Sequence, residues 1–310
     1  MAAVETKSSA LLCLAGATAT GKSDIALILA EKLRGEIVSV DSMQVYRGLD
    51  IGTAKPGPDE RRRVPHHLLD VAALDEPFDA ARFARLAHDD VRDIQSRGFV
   101  PILCGGTGLY FKAFLEGLGD APPANPKLRA ELEAVPLATL LKELSERDPV
   151  TFAFIDRKNP RRVIRALEVI RLTGRPFSAQ RANWSGSPTG GNFFFLGLSR
   201  ESSDLHARIE ARVDSMFEKG LVHEVGDLLK HGLGENRTAM QAIGYRQVVE
   251  HLRGERSLPD TIELVKIRTR QFAKRQMTWF RRHASVKWIH CAPDSTSESI
   301  AGKVLHAHQI

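Results

Sequence analysis

The chain is expected to fold as an α/β protein, a parallel sheet core flanked by helices, with an all-helical insertion domain. Three observations carry that expectation. Short apolar runs alternate with stretches of helical periodicity, the pattern of parallel strands joined by right-handed crossovers. A glycine-rich turn stands between the first apolar run and the first helical stretch. From Lys127 to about Thr173 every apolar repeat is helical and no strand candidate occurs. With 310 residues the chain is roughly twice the common domain size, enough for both parts.

The elements follow in order. Residues 10–15 (ALLCLA) form a short buried strand ended by Gly16, and Lys22 to Leu33 places Ile25, Ile28, Leu29 and Leu33 on one side of a helix. Ile37 to Val40 is a second strand, ending at Asp41. A long helix near Asp79 to Ser96 leads to a third, Phe99 to Cys104, which ends at Gly105-Gly106. After Gly117 the segment DAPPANP (120–126) reads as a linker into the helical stretch. Gly174 to Asn192, rich in Gly, Ser, Pro and Asn, reads as the return connection, and FFFLGL (193–198) rejoins the sheet. Basic amphipathic helices run from Leu205 to about His283, then a last strand near Val286 to Ile289 and a closing helix. The expected parts are therefore a first core segment at 1–117, the insertion at 118–192 and a second core segment at 193–310.

Composition narrows the class. Hydrophobic residues make up 43% and charged residues 26%, which supports a packed core and excludes a disordered chain. Lys plus Arg (44) exceed Asp plus Glu (38) by a net +6, so an anionic partner is permitted and the placement of the charge decides. Cys13, Cys104 and Cys291 form no CxxC pair, which suits a reducing compartment, argues against zinc and leaves them as small buried hydrophobes. The start, MAAVETKSSALLCLAGA, does not suit a cleaved signal, and no apolar run approaches the about 20 residues of a membrane helix. A cytoplasmic protein without a membrane partner is expected, and no obligatory protein partner is evident.

Gly16-Ala17-Thr18-Ala19-Thr20-Gly21-Lys22-Ser23 satisfies GxxxxGK(S/T) between a strand and a helix. Successive backbone N–H groups there curl around an anion that also meets the positive end of the helix dipole. The glycines allow close approach to a diphosphate, Lys22 adds a mobile charge, and the Ser23 hydroxyl suits the coordination sphere of Mg²⁺, the one cofactor expected. The bland alternative is a glycine turn before a helix. Asp41, at the carboxyl end of the second strand, lies on the same sheet edge, where open α/β sheets bind ligands. It could hold a metal through water, accept a proton from a nucleophile, or cap the next segment. The following loop offers Gln44, Tyr46, Arg47, Thr53 and Lys55 for recognition of a base or sugar. Thr107, in Gly105-Gly106-Thr107-Gly108, could orient Asp41 or serve as a bare N-cap. Arg208 and Arg212, four apart on one helical face, could grip a diphosphate or pair with neighbouring carboxylates in solvent.

GATATGKS, SVDSMQVYRGLDIGTAKP, PHHLLD, GGTGLYFKAFLEGL, RALEVIRLTG, AIGYRQ and KRQMTWFR occur in this order. In these blocks, from about Leu11 to Trp288, the chain resembles the bacterial tRNA dimethylallyltransferases, also called tRNA isopentenyltransferases. The resemblance implies a P-loop NTPase-like core, with dimethylallyl diphosphate instead of ATP in the loop. It implies transfer of the dimethylallyl group to the exocyclic amine of the adenosine on the 3′ side of the anticodon, in tRNAs reading codons that begin with U, with release of diphosphate. Asp41 would be the base, with Thr107 its neighbour and Arg212 assisting; the loop residues and Arg208 would bind the diphosphate. The loop departs from the family's frequent proline after the first glycine and its final threonine, but Ser23 keeps the hydroxyl.

The same resemblance implies a grip on the anticodon stem-loop. Asp41, Ser42, Met43, Gln44 and Thr107 would contact the target base. Arg129, Arg161, Arg162, Val163, Ile164 and Arg165 would contribute from the insertion. Gln241, Ala242, Ile243, Gly244, Tyr245 and Arg246 would face RNA from the core, together with Lys274, Arg275, Gln276, Met277, Thr278, Trp279, Phe280 and Arg281 from the penultimate helix. By charge alone, the run that also includes Lys266, Arg268, Arg270 and Arg282 reads first as a solvated helix face, and the resemblance turns it toward RNA. His66 and His67 are left without a role. A P-loop kinase and a nucleotide-switched RNA-binding protein are the rival readings.

Overall fold

The computed structural model describes residues 11–180 and 193–308. Six strands, β1 (Leu11–Gly16), β2 (Gly35–Val40), β3 (His66–His67), β4 (Val100–Gly105), β5 (Phe193–Ser199) and β6 (Lys287–His290), form one sheet in the order β3-β2-β4-β1-β5-β6. Every pairing is parallel. Parallel strands need both faces covered, which is why β1, β2 and β4 read as nearly continuous apolar runs. One face packs α1 (Lys22–Leu33) and α13 (Ser297–His308), whose Ile25, Leu29, Ile300 and Val304 share a buried cluster with Leu12, Leu14 and Ile102. On the other side Phe111, of α4 (Gly108–Glu116), meets Phe195 and Phe280 at ring separations of 5.0 and 5.9 Å.

Two elements escape a reading of periodicity. β3 is only two residues long and pairs with Ile37 and Val38 at the sheet edge, and α2 (Pro58–Arg63) buries no residue, so neither leaves a hydrophobic pattern. α3 (Ala80–Ser96) is capped by Asp79, which accepts from Arg82 N. Cys13, Cys104 and Cys291 are buried free thiols.

The chain divides into two compact units, Met1–Phe114 with Gly190–Ile310, and Leu115–Thr189. The sequence reading puts the helical insertion at 118–192. The described part of the second unit contains helices α5 (Pro126–Glu133), α6 (Leu137–Arg147), α7 (Pro149–Phe154) and α8 (Pro160–Thr173) around Leu132, Leu140, Leu144, Val163 and Leu167. Asn125, Asp148 and Asn159 cap three of them by accepting backbone N–H groups. Part of the return connection expected at Gly174 to Asn192 lies outside the described residues. In the first unit, β5 is followed by α9 (Ser202–Glu218), α10 (Leu221–Lys230), α11 (Tyr245–Leu252) and α12 (Leu258–His283).

Candidate active site

The strand order brings the loops after β1, β2 and β4 to one carboxyl edge, with β4 between the other two. The loop after β1 is shaped by backbone that side chains disfavour: Gly16, Ala19 and Gly21 have φ of 157°, 63° and 93°. A Cβ on Gly16 would stand 2.9 Å from the Leu198 carbonyl oxygen. Three of its carbonyls are engaged by side chains. Thr20 Oγ1 and Lys22 Nζ donate to Ala17 O at 2.9 and 2.6 Å, Arg208 Nε donates to Ala19 O and Arg200 Nε to Thr20 O, both at 3.0 Å. No side chain caps α1 at Gly21, so its first-turn N–H groups stay open to an anion.

Arg200 was not singled out by the sequence. Its guanidinium is almost fully buried and also pairs with Asp204 at 2.8 Å, so it braces the loop from β5, the neighbour of β1. The position directly after a strand at the carboxyl edge was the signal that could have found it.

Asp41 leaves β2 toward this loop. Its Oδ1 accepts from Met43 N at 2.8 Å and Gln44 N at 3.3 Å, so one oxygen caps the turn. Oδ2 makes no hydrogen bond among the described residues. Thr107 ties β4 to β2: its N–H donates to Val40 O, and its Oγ1 accepts from Ser42 N at 3.1 Å. The hydroxyl oxygen therefore orients the Asp41 turn, while the Thr107 carbonyl receives Tyr110 N and Phe111 N at the start of α4.

A cavity of about 650 Å³ beside the loop is lined by Lys22, Ser23, Arg208, Arg212, Ile51 and Met216 among others. α9 supplies the arginines because its apolar side, Ile209 and Val213, packs with Ala17, Val265 and Ala273. Arg212 is desolvated, which lowers its pKa, and the charges of Asp41 and Asp24 oppose that shift. Its guanidinium donates to Thr53 O at 3.3 Å. Desolvation also lowers the Lys22 pKa to about 8, with Arg212 acting in the same direction and Cys104 and Asp41 against it.

An anion bound on Lys22 stabilises the ammonium and raises that pKa again. Binding is therefore full below about pH 8 and weakens above it, by about tenfold per pH unit at most. We expect the affinity for inorganic diphosphate, titrated calorimetrically and expressed relative to Lys22→Arg, to fall above pH 8; a flat ratio would contradict the shift.

Among the described residues no cluster of three His, Cys, Asp or Glu side chains could cage a metal. Ser23, exposed on the first turn of α1, offers one hydroxyl. That fits Mg²⁺ arriving with a diphosphate and keeping mostly phosphate and water ligands.

The loop after Asp41 is turned inward more than its polarity suggests. Lys55, read as a recognition group, is buried and consumed by Tyr46 O at 2.7 Å, Asp70 at 2.7 Å and Asp50 at 2.6 Å, as a buried cation must be. Tyr46 is fully buried. Gln44 accepts from Ser39 Oγ at 2.8 Å and donates to Thr53 O at 3.2 Å, so its amide is engaged within the loop. Glu224, which sequence reading missed, receives Ile51 N at 2.8 Å and the Tyr245 hydroxyl at 2.6 Å. A Cβ on Gly52 would stand 2.4 Å from the Tyr245 ring, so the loop is seated directly on it. No local pattern links Ile51 to a carboxylate 173 residues away.

The residues expected to face RNA divide by periodicity. On α12, Lys274, Arg275, Thr278 and Arg281 are exposed along one face, while Gln276 and Phe280 are buried and Met277 packs into the cluster around Ala17. Trp279 covers Gly108, where a Cβ would stand 2.1 Å from its ring. Ala242 and Tyr245 are buried, Ile243 joins the Ala17 cluster, Gly244 has φ 98°, Gln241 donates to Arg237 O at 2.8 Å, and exposed Arg246 pairs with Glu250 at 3.0 Å. In the helical unit, Val163 and Ile164 are core residues. Arg129 and Arg165 both clamp the fully buried Glu168, at 3.0 and 2.6 Å, so these two arginines are tied into the fold. Arg161 and Arg162 are exposed. His67 joins Glu36 at 2.7 Å in a network with Arg97, apart from Asp41.

A family model described as IPP transferase matches residues 44–283. The chain is 44% identical over 283 residues to tRNA dimethylallyltransferase 2 of Geotalea uraniireducens, covering 90% of this chain and 91% of the relative. It is 41% identical over 306 residues to the tRNA dimethylallyltransferase of Pelotomaculum thermopropionicum, covering 97% and 96%. The crystal structure of the tRNA isopentenylpyrophosphate transferase from Bacillus halodurans aligns with TM-score 0.71 at 39% identity, over 97% of this chain and 96% of that one. A eukaryotic dimethylallyltransferase acting on tRNA aligns with TM-score 0.80 at 28% identity, over 97% and 78%.

Proposed function

The chain belongs to the IPP transferase family, and from that premise we propose that it is a tRNA dimethylallyltransferase using dimethylallyl diphosphate as donor. The observation that carries the chemistry is the convergence, on one sheet edge, of an anion loop bearing Lys22 and an aspartate with one uncommitted oxygen. The acceptor is the exocyclic amine of the adenosine following the anticodon. That amine is a poor nucleophile because its lone pair is delocalised into the ring, so loss of its proton must accompany attack. Oδ2 of Asp41 takes the proton as the new N–C bond forms, and the C–O bond to the diphosphate breaks with its electron pair leaving on oxygen. Lys22, the N–H groups at the start of α1 and Arg212 stabilise the charge growing on that oxygen. Mg²⁺, when bound through Ser23, would add Lewis-acid stabilisation of the same leaving group.

Purified protein incubated with unmodified tRNA and either labelled dimethylallyl diphosphate or γ-labelled ATP tests the reading. Label entering tRNA from the prenyl donor alone supports it; label passing from ATP to a small acceptor replaces it with a kinase. Among the described residues no helix is long and apolar enough to cross a membrane.

For the RNA, the exposed face of α12 supplies phosphate contacts that release counterions on binding. Lys274→Gln and Arg281→Gln together should flatten the slope of log affinity against log salt by about 0.7 to 0.9 per lost contact. An unchanged slope, measured by filter binding across salt concentrations, would mean that this face does not meet the phosphate backbone.

A further inference from the structure

Gln276 lies in the helix whose exposed residues are assigned to RNA, yet it is only 8% exposed and both ends of its amide are spent inside the protein. Its Oε1 accepts from Thr18 N at 2.9 Å and its Nε2 donates to Gly106 O at 2.9 Å. One side chain thus bridges the phosphate loop after β1 and the glycine turn after β4, and Thr107 next to Gly106 orients the Asp41 turn. The fit is close: a Cβ on Gly106 would stand 2.2 Å from the Gln276 nitrogen. Neighbouring Met277, packed into the Ala17 cluster, holds α12 against the same loop.

We infer that Gln276 is a positioning residue that fixes the separation between the leaving-group site and the proton acceptor, and does not contact RNA. The inference rests on the proposed prenyl transfer for its kinetic consequence but not for its binding consequence. Attack needs the electrophile, held by the β1 loop, and the amine, held beside Asp41, within a few tenths of an ångström of a productive distance. Each loop ends a different strand, and the bonds that shape each loop hold it to its own neighbours without setting the distance between the two tips. An amide satisfied at both ends ties those tips, and burial strengthens the tie because no water replaces either bond.

Two substitutions test this in the full-length protein. Gln276→Met keeps the length and removes both hydrogen bonds; Gly106→Ala leaves α12 intact and evicts the amide with its new methyl group. Both should lower kcat by about 10- to 100-fold and raise the donor KM, while the dissociation constant for an unmodified anticodon stem-loop stays within about twofold. Binding of inorganic diphosphate should weaken in both variants. Loss of stem-loop affinity with diphosphate binding intact would overturn the inference in favour of an RNA contact. A lower melting temperature with unchanged kinetics per folded molecule would reduce Gln276 to packing. Were the unaltered protein inert toward tRNA, the functional reading would fall, and the diphosphate titration would still decide whether Gln276 shapes the loop.

Discussion

Asp41→Asn lowers the single-turnover rate of prenyl transfer by about two to four orders of magnitude and leaves tRNA affinity within about twofold. The geometry makes this substitution unusually clean. Asp41 Oδ1 holds Met43 N and Gln44 N, and an asparagine carbonyl oxygen can receive the same two bonds, so the turn keeps its shape. Only the second oxygen changes, from a proton acceptor into an amide that donates. Chemistry is thereby separated from loop structure. Equal losses in rate and in tRNA binding would transfer Asp41 from proton acceptor to base recognition, and an undiminished rate would remove it from the mechanism. Thr107→Val, which deletes the acceptor for Ser42 N, should show a smaller loss of the same kind because the Thr107 backbone bond to Val40 persists.

Arg212→Lys should reduce kcat/KM for the donor by about 100-fold or more, with tRNA affinity preserved. The charge is retained, so the loss reports the planar fork. A guanidinium that among the described residues bonds Thr53 O alone has further N–H groups to offer two diphosphate oxygens at once, and desolvation strengthens each such bond. Lysine is a point charge on a flexible stem and cannot span both oxygens. Arg208→Lys is the internal comparison. Arg208 is exposed and its Nε is occupied by Ala19 O, so its loss should be several-fold smaller. Steady-state kinetics at saturating tRNA would check both; equal effects at the two positions would mean that burial of Arg212 confers no advantage.

The parallel sheet and its carboxyl-edge site were legible because buried strands and amphipathic helices repeat with different periods, and because a diphosphate cradle needs glycine, lysine and a hydroxyl at set spacings. That much, together with the position of Asp41 at the end of a strand, the sequence by itself determined. Partners were not legible, because an ionisable side chain carries the same letter whether solvated or paired. Lys55 read as a recognition group and Arg129 and Arg165 as RNA contacts, and only folding set Asp50, Asp70 and Glu168 against them. Gln276 read as part of an RNA-facing run, and only the packing of α12 on the phosphate loop turned it inward between Thr18 and Gly106. Local spacing is set by the covalent chain and survives in sequence, whereas pairing across hundreds of residues depends on how helices dock on the sheet, and that was decided by the tertiary structure alone.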